Sequence, residues 1–197
     1  YTTLFRSRSR ISMIRIMGVD PGLTRCGVGV IEAGNSRSVS YIAVETLVSP
    51  KEADVRDRIG AISIRLEALI VEHKPDRIAL ERVFSQQNLR SVMGTAQISG
   101  VVFYLASKHS IPVEMHTPTE VKAAVTGSGR AAKPQVGEMV KKILKLDEIP
   151  KPADAADSLA IAICNAWRQG IVEVSGATNA QQAWKSAIAA SQSKKRS

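Results

Sequence analysis

The sequence IRIMGVDPG spans residues 14–22, an apolar run that ends in Asp20 and a Pro-Gly turn. Alternating apolar residues return at 27–31 and again at 39–48, with short polar segments between them. A period of two is the pattern of a half-buried β-strand, and short connections join antiparallel neighbours. Residues 14–48 therefore predict three sequential antiparallel strands, and Asp20 closes the first.

Beyond this three-stranded unit the apolar residues change their period. Residues 54–74 carry them at helical spacing, and Pro75 follows as a stop. Two further strands and four further helices are predicted at 77–81 and 111–115, and at 88–109, 119–125, 134–146 and 153–169. The order βββαβαβααα indicates an α/β domain with a mixed five-stranded sheet and helices on both faces.

The two ends of the chain differ in composition from this domain. Residues 1–12 are polar and Arg-rich, and we expect them to be a non-native or disordered leader, with the natural start at Met13 or Met17. Residues 171–197 consist largely of Ala, Ser, Gln and Lys and predict a basic, low-complexity, disordered tail. One folded domain is therefore expected over residues 13–170.

Net charge is a weak guide to function in this chain. The formal value is +9, but residues 1–16 and 171–197 hold eight of the 27 basic residues and one of the 18 acidic ones, which leaves 19 against 17. The distribution is more informative, since residues 121–146 carry six basic residues and the single acid Glu138. A cluster of this kind indicates a surface for a polyanion such as nucleic acid.

Cysteines and hydropathy argue against secretion and membrane insertion. Cys26 and Cys164 lie far apart in apolar surroundings, which favours two buried thiols over a disulfide or a metal site. No apolar run approaches the ~20 residues that span a bilayer, and the N-terminus has no hydrophobic signal core. We therefore expect a cytoplasmic protein with no membrane contact.

Acidic residues close two of the predicted strands. Asp20 stands before a Pro-Gly pair, where an aspartate on its own is most simply a turn former. Glu81 ends a buried strand, where an acid is costly unless it is paired, hydrogen-bonded or bound to a metal. A salt bridge with Arg77 or Arg82 would account equally well for an acid at the position of Glu81.

Two more acids share one face in the first turn of the last predicted helix. Asp154 and Asp157 are three residues apart, and an N-cap role would account for Asp154 alone. Asp157 precedes an almost wholly apolar helix, so two like charges meet at the edge of a core. With Asp20 and Glu81 they would form a cluster of oxygen ligands that suits Mg²⁺ or Mn²⁺. Two such ions activate water and stabilise the leaving oxygen of a phosphodiester, so the set indicates phosphodiester hydrolysis.

These residues and their surroundings resemble the RuvC family of Holliday junction resolvases. The matching motifs are IMGVDPG at 16–22 with TRCG at 24–27, LERVF at 80–84, VK at 121–122 with GSGRAAK at 127–133, and ADAADSLA at 153–160. The resemblance implies an RNase H-like fold and a homodimer whose subunits each cut one of two opposed strands at a four-way DNA junction. It also implies two Mg²⁺ ions per subunit, with Mn²⁺ as a substitute, and the RuvA–RuvB branch-migration complex as a partner.

The same resemblance implies roles for individual residues. The four catalytic, metal-holding acids of the family correspond to Asp20, Glu81, Asp154 and Asp157. Its DNA-contacting positions correspond to Phe84, Lys122 and Lys133. By the resemblance Lys122 is closer to the acids and is expected to assist the chemistry, whereas the position of Lys133 at the start of a predicted helix favours a phosphate anchor.

The DNA-binding prediction also rests on the residues themselves. Lys122, Arg130 and Lys133 cluster around a Gly-rich loop whose backbone can approach a phosphate chain closely. Ordinary solvated charges are the alternative. Phe84 lies in a polar stretch, and a core position is the default for a phenylalanine. The family resemblance favours a stacking or wedging aromatic at an opened junction instead. Small residues at 93–101 predict close helix packing, either within the chain or across a dimer contact.

Three other protein classes share part of this pattern. A ribosomal RNA-maturation nuclease has a similar DPG opening, but the motif at 80–84 and the basic loop at 122–133 argue against it. Actin-like ATPases and sugar kinases share the first phosphate loop but need a duplicated domain, for which 197 residues are too few. A catalytically inactive junction-binding protein is disfavoured by four intact acids.

Overall fold

The computed structural model describes residues 13–82 and 89–169, and within them the chain forms five strands and five helices. The strands are β1 (Ile14–Asp20), β2 (Arg25–Ala33), β3 (Val39–Val48), β4 (Arg77–Glu81) and β5 (Val113–His116). The helices are α1 (Val55–His73), α2 (Leu89–Lys108), α3 (Pro118–Thr126), α4 (Lys133–Leu144) and α5 (Ala153–Gln169). The type and order of the elements agree with the prediction.

The strands form one mixed sheet in the order β3-β2-β1-β4-β5. The first three pair antiparallel, whereas β4 runs parallel to both β1 and β5. Val19 of β1 lies opposite Leu80 of β4. The next residues, Asp20 and Glu81, therefore end adjacent parallel strands at the same edge of the sheet.

Helices cover both faces of the sheet, as predicted. Met17 and Val19 pack with α1 and α2, whereas Ile16 on the opposite face packs with α3, α4 and α5. Each core contains one of the predicted buried thiols, since Cys26 and Cys164 are free and fully buried. Burial raises the pKa of the Cys26 thiol to about 12 and that of Cys164 to about 11, so neither is a reactive thiolate at neutral pH.

Helix α5 lies directly against the backbones of β1 and β2. A Cβ atom at Gly18 would collide with the Ser158 carbonyl, and one at Gly27 would collide with the Asp154 carbonyl. The lack of a side chain at these two positions therefore sets how closely the helix approaches the sheet. It places the acidic first turn of α5 beside the sheet edge that carries the strand acids.

The predicted bounds of three elements are wrong by two residues. β2 extends two residues further at each end than predicted. β5 begins at Val113 instead of Ile111, because the N–H of Ile111 donates to the Ala106 carbonyl and finishes the end of α2. α4 ends at Leu144, because Lys145 adopts a left-handed conformation with φ 54° that stops the helix.

Candidate active site

A cavity of about 390 Å³ opens at the sheet edge where β1 and β4 end. Its lining combines three acidic with three basic residues, namely Asp20, Glu81, Asp157, Arg82, Lys122 and Lys133. Val92 of α2, Val121 of α3 and Val136 of α4 form apolar parts of the wall. Convergent ionisable side chains in a concave pocket mark this cavity as the candidate site of chemistry.

The surroundings of the two strand acids, Asp20 and Glu81, disfavour their ionised forms. Burial, followed by the charges of Glu81, Asp157 and Asp154, raises the pKa of Asp20 to about 8. Burial and then Asp157 also raise the pKa of Glu81, although nearby lysines and a hydrogen bond with Asp20 oppose the rise. The pair therefore retains a proton near neutral pH, and a bound cation would displace it.

The two helix acids are each paired with a basic side chain from another element. Lys133 Nζ, at the start of α4, lies 2.8 Å from Asp157 Oδ2. Arg25 Nε, at the start of β2, lies 3.2 Å from Asp154 Oδ2. The N-cap explanation of Asp154 is wrong, since α5 begins at Ala153 and Asp154 lies inside its first turn. Each ion pair engages one carboxylate oxygen of the acid cluster.

The four acids are of the ligand type that divalent metal ions prefer, but their side chains are not arranged as a complete coordination site. Within residues 13–82 and 89–169, no three His, Cys, Asp or Glu side chains are grouped closely enough to hold one ion. Asp154 does not line the cavity with the other three acids. Burial and mutual repulsion nevertheless favour a cation among these carboxylates, whose oxygens suit a hard ion such as Mg²⁺.

The predicted DNA-binding residues lie at different distances from the acids. Lys122 and Lys133 line the cavity. Arg130 is exposed on the loop between α3 and α4, outside the cavity lining, and its N–H donates to Ser128 Oγ. Phe84 lies outside the described residues. The structure thus brings both lysines, but not Arg130, to the acid cluster.

Sequence reasoning does not assign two basic residues that lie at the cluster. Arg25 pairs with Asp154, and its position five residues after Asp20 within the TRCG motif is a usable signal. Arg82 lines the cavity itself, whereas the sequence suggests only a salt bridge with Glu81. In both cases the signal is closeness in sequence to an acid that ends a strand.

Sequence comparison identifies the family. The family profile described as crossover junction endodeoxyribonuclease RuvC matches residues 16–165. The chain belongs to this family. A crossover junction endodeoxyribonuclease RuvC of Rhodococcus jostii is 54% identical over 160 residues, which cover 81% of this chain and 85% of that protein. The protein of the same name from Streptomyces griseus is 54% identical over 155 residues, which cover 79% of this chain and 76% of that protein.

Solved structures show the same fold. Thermus thermophilus RuvC in complex with a Holliday junction substrate has a TM-score of 0.74 at 31% identity, covering 78% of this chain and 93% of that one. The yeast mitochondrial Holliday junction resolvase Ydc2 has a TM-score of 0.56 at 17% identity, covering 81% of this chain and 82% of that one, and bears on the fold alone. The RNase H-like fold expected from the sequence is confirmed.

Membership of the RuvC family also confirms the predicted enzyme class. The chain is a crossover junction endodeoxyribonuclease, a hydrolase of DNA phosphodiesters that depends on a divalent metal ion. The RNA-maturation and ATPase alternatives are set aside by this membership. No helix in the described ranges 13–82 and 89–169 is long and apolar enough to cross a membrane.

Proposed function

We propose that this RuvC-family chain resolves four-way DNA junctions by hydrolysing one phosphodiester in each of two opposed strands. The observation that carries the proposal is the convergence of acids from two adjacent parallel strands and from α5, with lysines on the wall of the same cavity. Acids supply metal ligands and lysines supply phosphate contacts. Junction DNA as the substrate is supported by the Thermus thermophilus RuvC structure, which contains a Holliday junction.

Four carboxylates would hold two Mg²⁺ ions, with Mn²⁺ as a substitute: Asp20, Glu81, Asp154 and Asp157. When bound, such ions activate a water molecule and stabilise the leaving oxygen of the phosphodiester. A carboxylate must be ionised to act as a ligand, so the raised pKa of Asp20 makes proton release a part of metal binding. The Asp20–Glu81 pair would therefore release a proton when a cation binds.

The basic residues position the strand to be cut. Lys122 and Lys133 line the cavity, where their ammonium groups offset the repulsion between a phosphate and the carboxylates. Lys133 is the phosphate anchor, and Lys122 assists the chemistry by stabilising charge that develops on the phosphate. Arg130 on the neighbouring loop contacts DNA farther from the cut, and Phe84 stacks on an unpaired base at the branch.

A homodimer is supported by an exposed, largely apolar groove between α1 and α2, which the Glu67–Lys108 ion pair also lines. Ile64 and Tyr104 line this groove and are 75% and 66% exposed. Gly94 packs against Leu23 within the chain, whereas Gly100 lies on the groove with open space at its Cβ position. A second copy related by a two-fold axis would cover the groove and supply a second active site for the opposed strand.

We further propose that residues 13–170 form the nuclease domain, that the protein acts in the cytoplasm, and that it works with the RuvA–RuvB branch-migration complex. The family match over residues 16–165 supports the domain bounds. Family membership supports the other two proposals. The leader at 1–12 and the tail at 171–197 lie outside the described residues.

Digestion of a mobile four-way junction tests the proposed function, with duplex DNA, single-stranded DNA and structured RNA as parallel substrates. We expect symmetric nicks in two opposed strands of the junction in Mg²⁺ and none in EDTA. Equal cleavage of the duplex, or preferential cleavage of the RNA, would contradict junction resolution.

A further inference from the structure

Asp154 is set apart from the other three acids of the cluster. Asp20, Glu81 and Asp157 line the cavity, whereas Asp154 does not. Its Oδ2 atom lies 3.2 Å from Nε of Arg25, the first residue of β2. The charge of Asp154 still acts on Asp20, so the carboxylate is near the cavity without forming part of its lining.

The Arg25 guanidinium is able to exchange this partner for a phosphate. The Arg25 side chain is 58% exposed, and the Asp154 side chain is 24% exposed. An ion pair at such a surface contributes little to stability. Arginine binds phosphate, like carboxylate, through charge-assisted hydrogen bonds that are often paired. The contact with Asp154 uses a single carboxylate oxygen at 3.2 Å, so a DNA phosphate that reaches the exposed guanidinium can replace it.

We propose that Arg25 is a further DNA-contacting residue, whose transfer from Asp154 to a backbone phosphate releases Asp154 to complete the metal site. This inference rests on the proposed function, since it requires junction DNA and metal ions. In the free protein Arg25 competes with a cation for the Asp154 carboxylate. When DNA is bound, the Arg25 guanidinium binds a backbone phosphate, and the Asp154 carboxylate becomes available as a metal ligand. Arg25 thereby couples DNA binding to metal binding.

Such coupling has a thermodynamic signature that is independent of cleavage. If DNA raises the affinity for metal by some factor, metal raises the affinity for DNA by the same factor. The substitution Arg25→Met removes the charge but keeps an unbranched side chain, so Asp154 is free before DNA arrives. The free variant should then bind metal more tightly, and metal should strengthen its junction binding less.

The experiment compares the wild-type chain with Arg25→Met and with the matched control Arg65→Met. Arg65 forms an ion pair with Glu45 at 2.6 Å, and neither residue lines the cavity. Mn²⁺ binding to the DNA-free proteins is measured by electron paramagnetic resonance. Junction affinity is measured by fluorescence anisotropy in EDTA and in Ca²⁺, a hard ion that takes the same oxygen ligands. A gel confirms that the junction stays intact.

We expect Arg25→Met to bind Mn²⁺ roughly two- to fivefold more tightly than the wild type, the range that a partly exposed ion pair supplies. The factor by which Ca²⁺ strengthens junction binding should fall by the same amount. The slope of log Kd against log salt concentration should decrease by about one unit, because one phosphate contact is lost. Arg65→Met should match the wild type in all three measurements.

Weaker Mn²⁺ binding by Arg25→Met would overturn the inference, because Arg25 would then hold Asp154 in place for the metal. Equal Ca²⁺ factors in the wild type and in Arg25→Met would overturn it as well. Failure of the proposed function is a separate result. In that case the wild type neither prefers the junction to duplex DNA nor cleaves it, whatever the variants do.

Discussion

Asp20 makes the metal-free protein sensitive to pH. Its pKa is raised from 3.8 to about 8 in the folded state, so between these values the folded chain holds a proton that the unfolded chain has lost. The free energy of unfolding therefore falls as the pH rises through this window, and this group has no such effect below it. We expect Asp20→Asn to raise Tm in EDTA by about 3 °C or more at pH 8 and to change it little at pH 4.

Thermal unfolding followed by circular dichroism checks this prediction. Asp57→Asn is the matched control, since Asp57 lies at the surface of α1 and pairs with Arg56. Mg²⁺ should narrow the difference at pH 8, because a bound metal stabilises the wild type more than the variant. A Tm difference that is the same at both pH values would contradict the assigned cause.

The two cavity lysines should separate into a binding and a chemical role. Lys133→Ala should weaken junction binding and lower the slope of log Kd against log salt by about one unit. Lys122→Ala should lower the single-turnover cleavage rate by roughly 10²-fold with a smaller loss of affinity. Lys142→Ala, at an exposed position of α4, serves as the control. Unchanged slope and rate in both variants would identify the lysines as ordinary solvated charges.

At the scale of residues, the sequence predicts the four acids but not their partners. Asp20 and Glu81 are predictable because each ends an apolar strand, and the structure places them at one sheet edge. The Arg25–Asp154 ion pair is not predictable, because it depends on how the start of β2 packs against α5. Local patterns of hydropathy carry no information about such contacts between distant segments.

Close packing of α5 on the sheet should be essential for both stability and cleavage. At Gly27 an added Cβ would collide with the Asp154 carbonyl, so Gly27→Ala must displace the helix turn that carries the acids. We expect the free energy of unfolding to fall by about 1–3 kcal/mol and cleavage to be lost. Urea unfolding and junction digestion measure the two effects.

Gly60→Ala is the matched control for this substitution. Gly60 lies inside α1 with nothing near its Cβ position, so alanine there should raise the free energy of unfolding by about 0.5–1 kcal/mol and leave cleavage unchanged. Wild-type cleavage by Gly27→Ala would mean that the depth of α5 does not position the acids.

At the scale of elements, the type and order of the helices and strands are predictable from the sequence. How closely a helix packs on the sheet, and where each element begins and ends, is less predictable. The almost wholly apolar run from Ser158 to Ile163 predicts a buried helix, and its residues are indeed buried. That Gly18 and Gly27 let this helix touch the strand backbones follows only from the packed structure. The start of β5 is predicted too early for a similar reason, since the N–H of Ile111 donates to a carbonyl at the end of α2.

A dimer through the α1–α2 groove should break when a charge is placed in it. We expect Tyr104→Glu to be monomeric by light scattering at micromolar concentration, because the substitution removes a large apolar contact and requires a carboxylate to be buried in its place. Paired cleavage of opposed strands should be lost, since it needs two active sites. Tyr41→Glu is the control, because Tyr41 is 40% exposed on β3, away from the groove.

A wild-type monomer that still makes paired nicks would contradict the dimer. A dimeric Tyr104→Glu variant would instead place the contact elsewhere on the surface.

At the scale of the whole molecule, the antiparallel β1–β3 unit is predictable from short connections. The placement of β4 beside β1 is not, because parallel pairing across α1 leaves no local mark in the sequence.

The carboxylate cluster as the seat of junction hydrolysis is tested most directly by one paired measurement. Single-turnover cleavage of a four-way junction in Mg²⁺ and its Kd in EDTA are determined for variants that exchange an acid for its amide: Asp20→Asn, Glu81→Gln, Asp154→Asn and Asp157→Asn. We expect each variant to lose roughly 10³-fold or more in cleavage rate and to bind the junction with a Kd within about threefold of the wild type, because affinity comes mainly from basic side chains. Near-normal cleavage by any variant would remove that acid from the catalytic set. If the single variants Asp20→Asn and Glu81→Gln both cleave at a near-normal rate, the carboxylate cluster is not the active site.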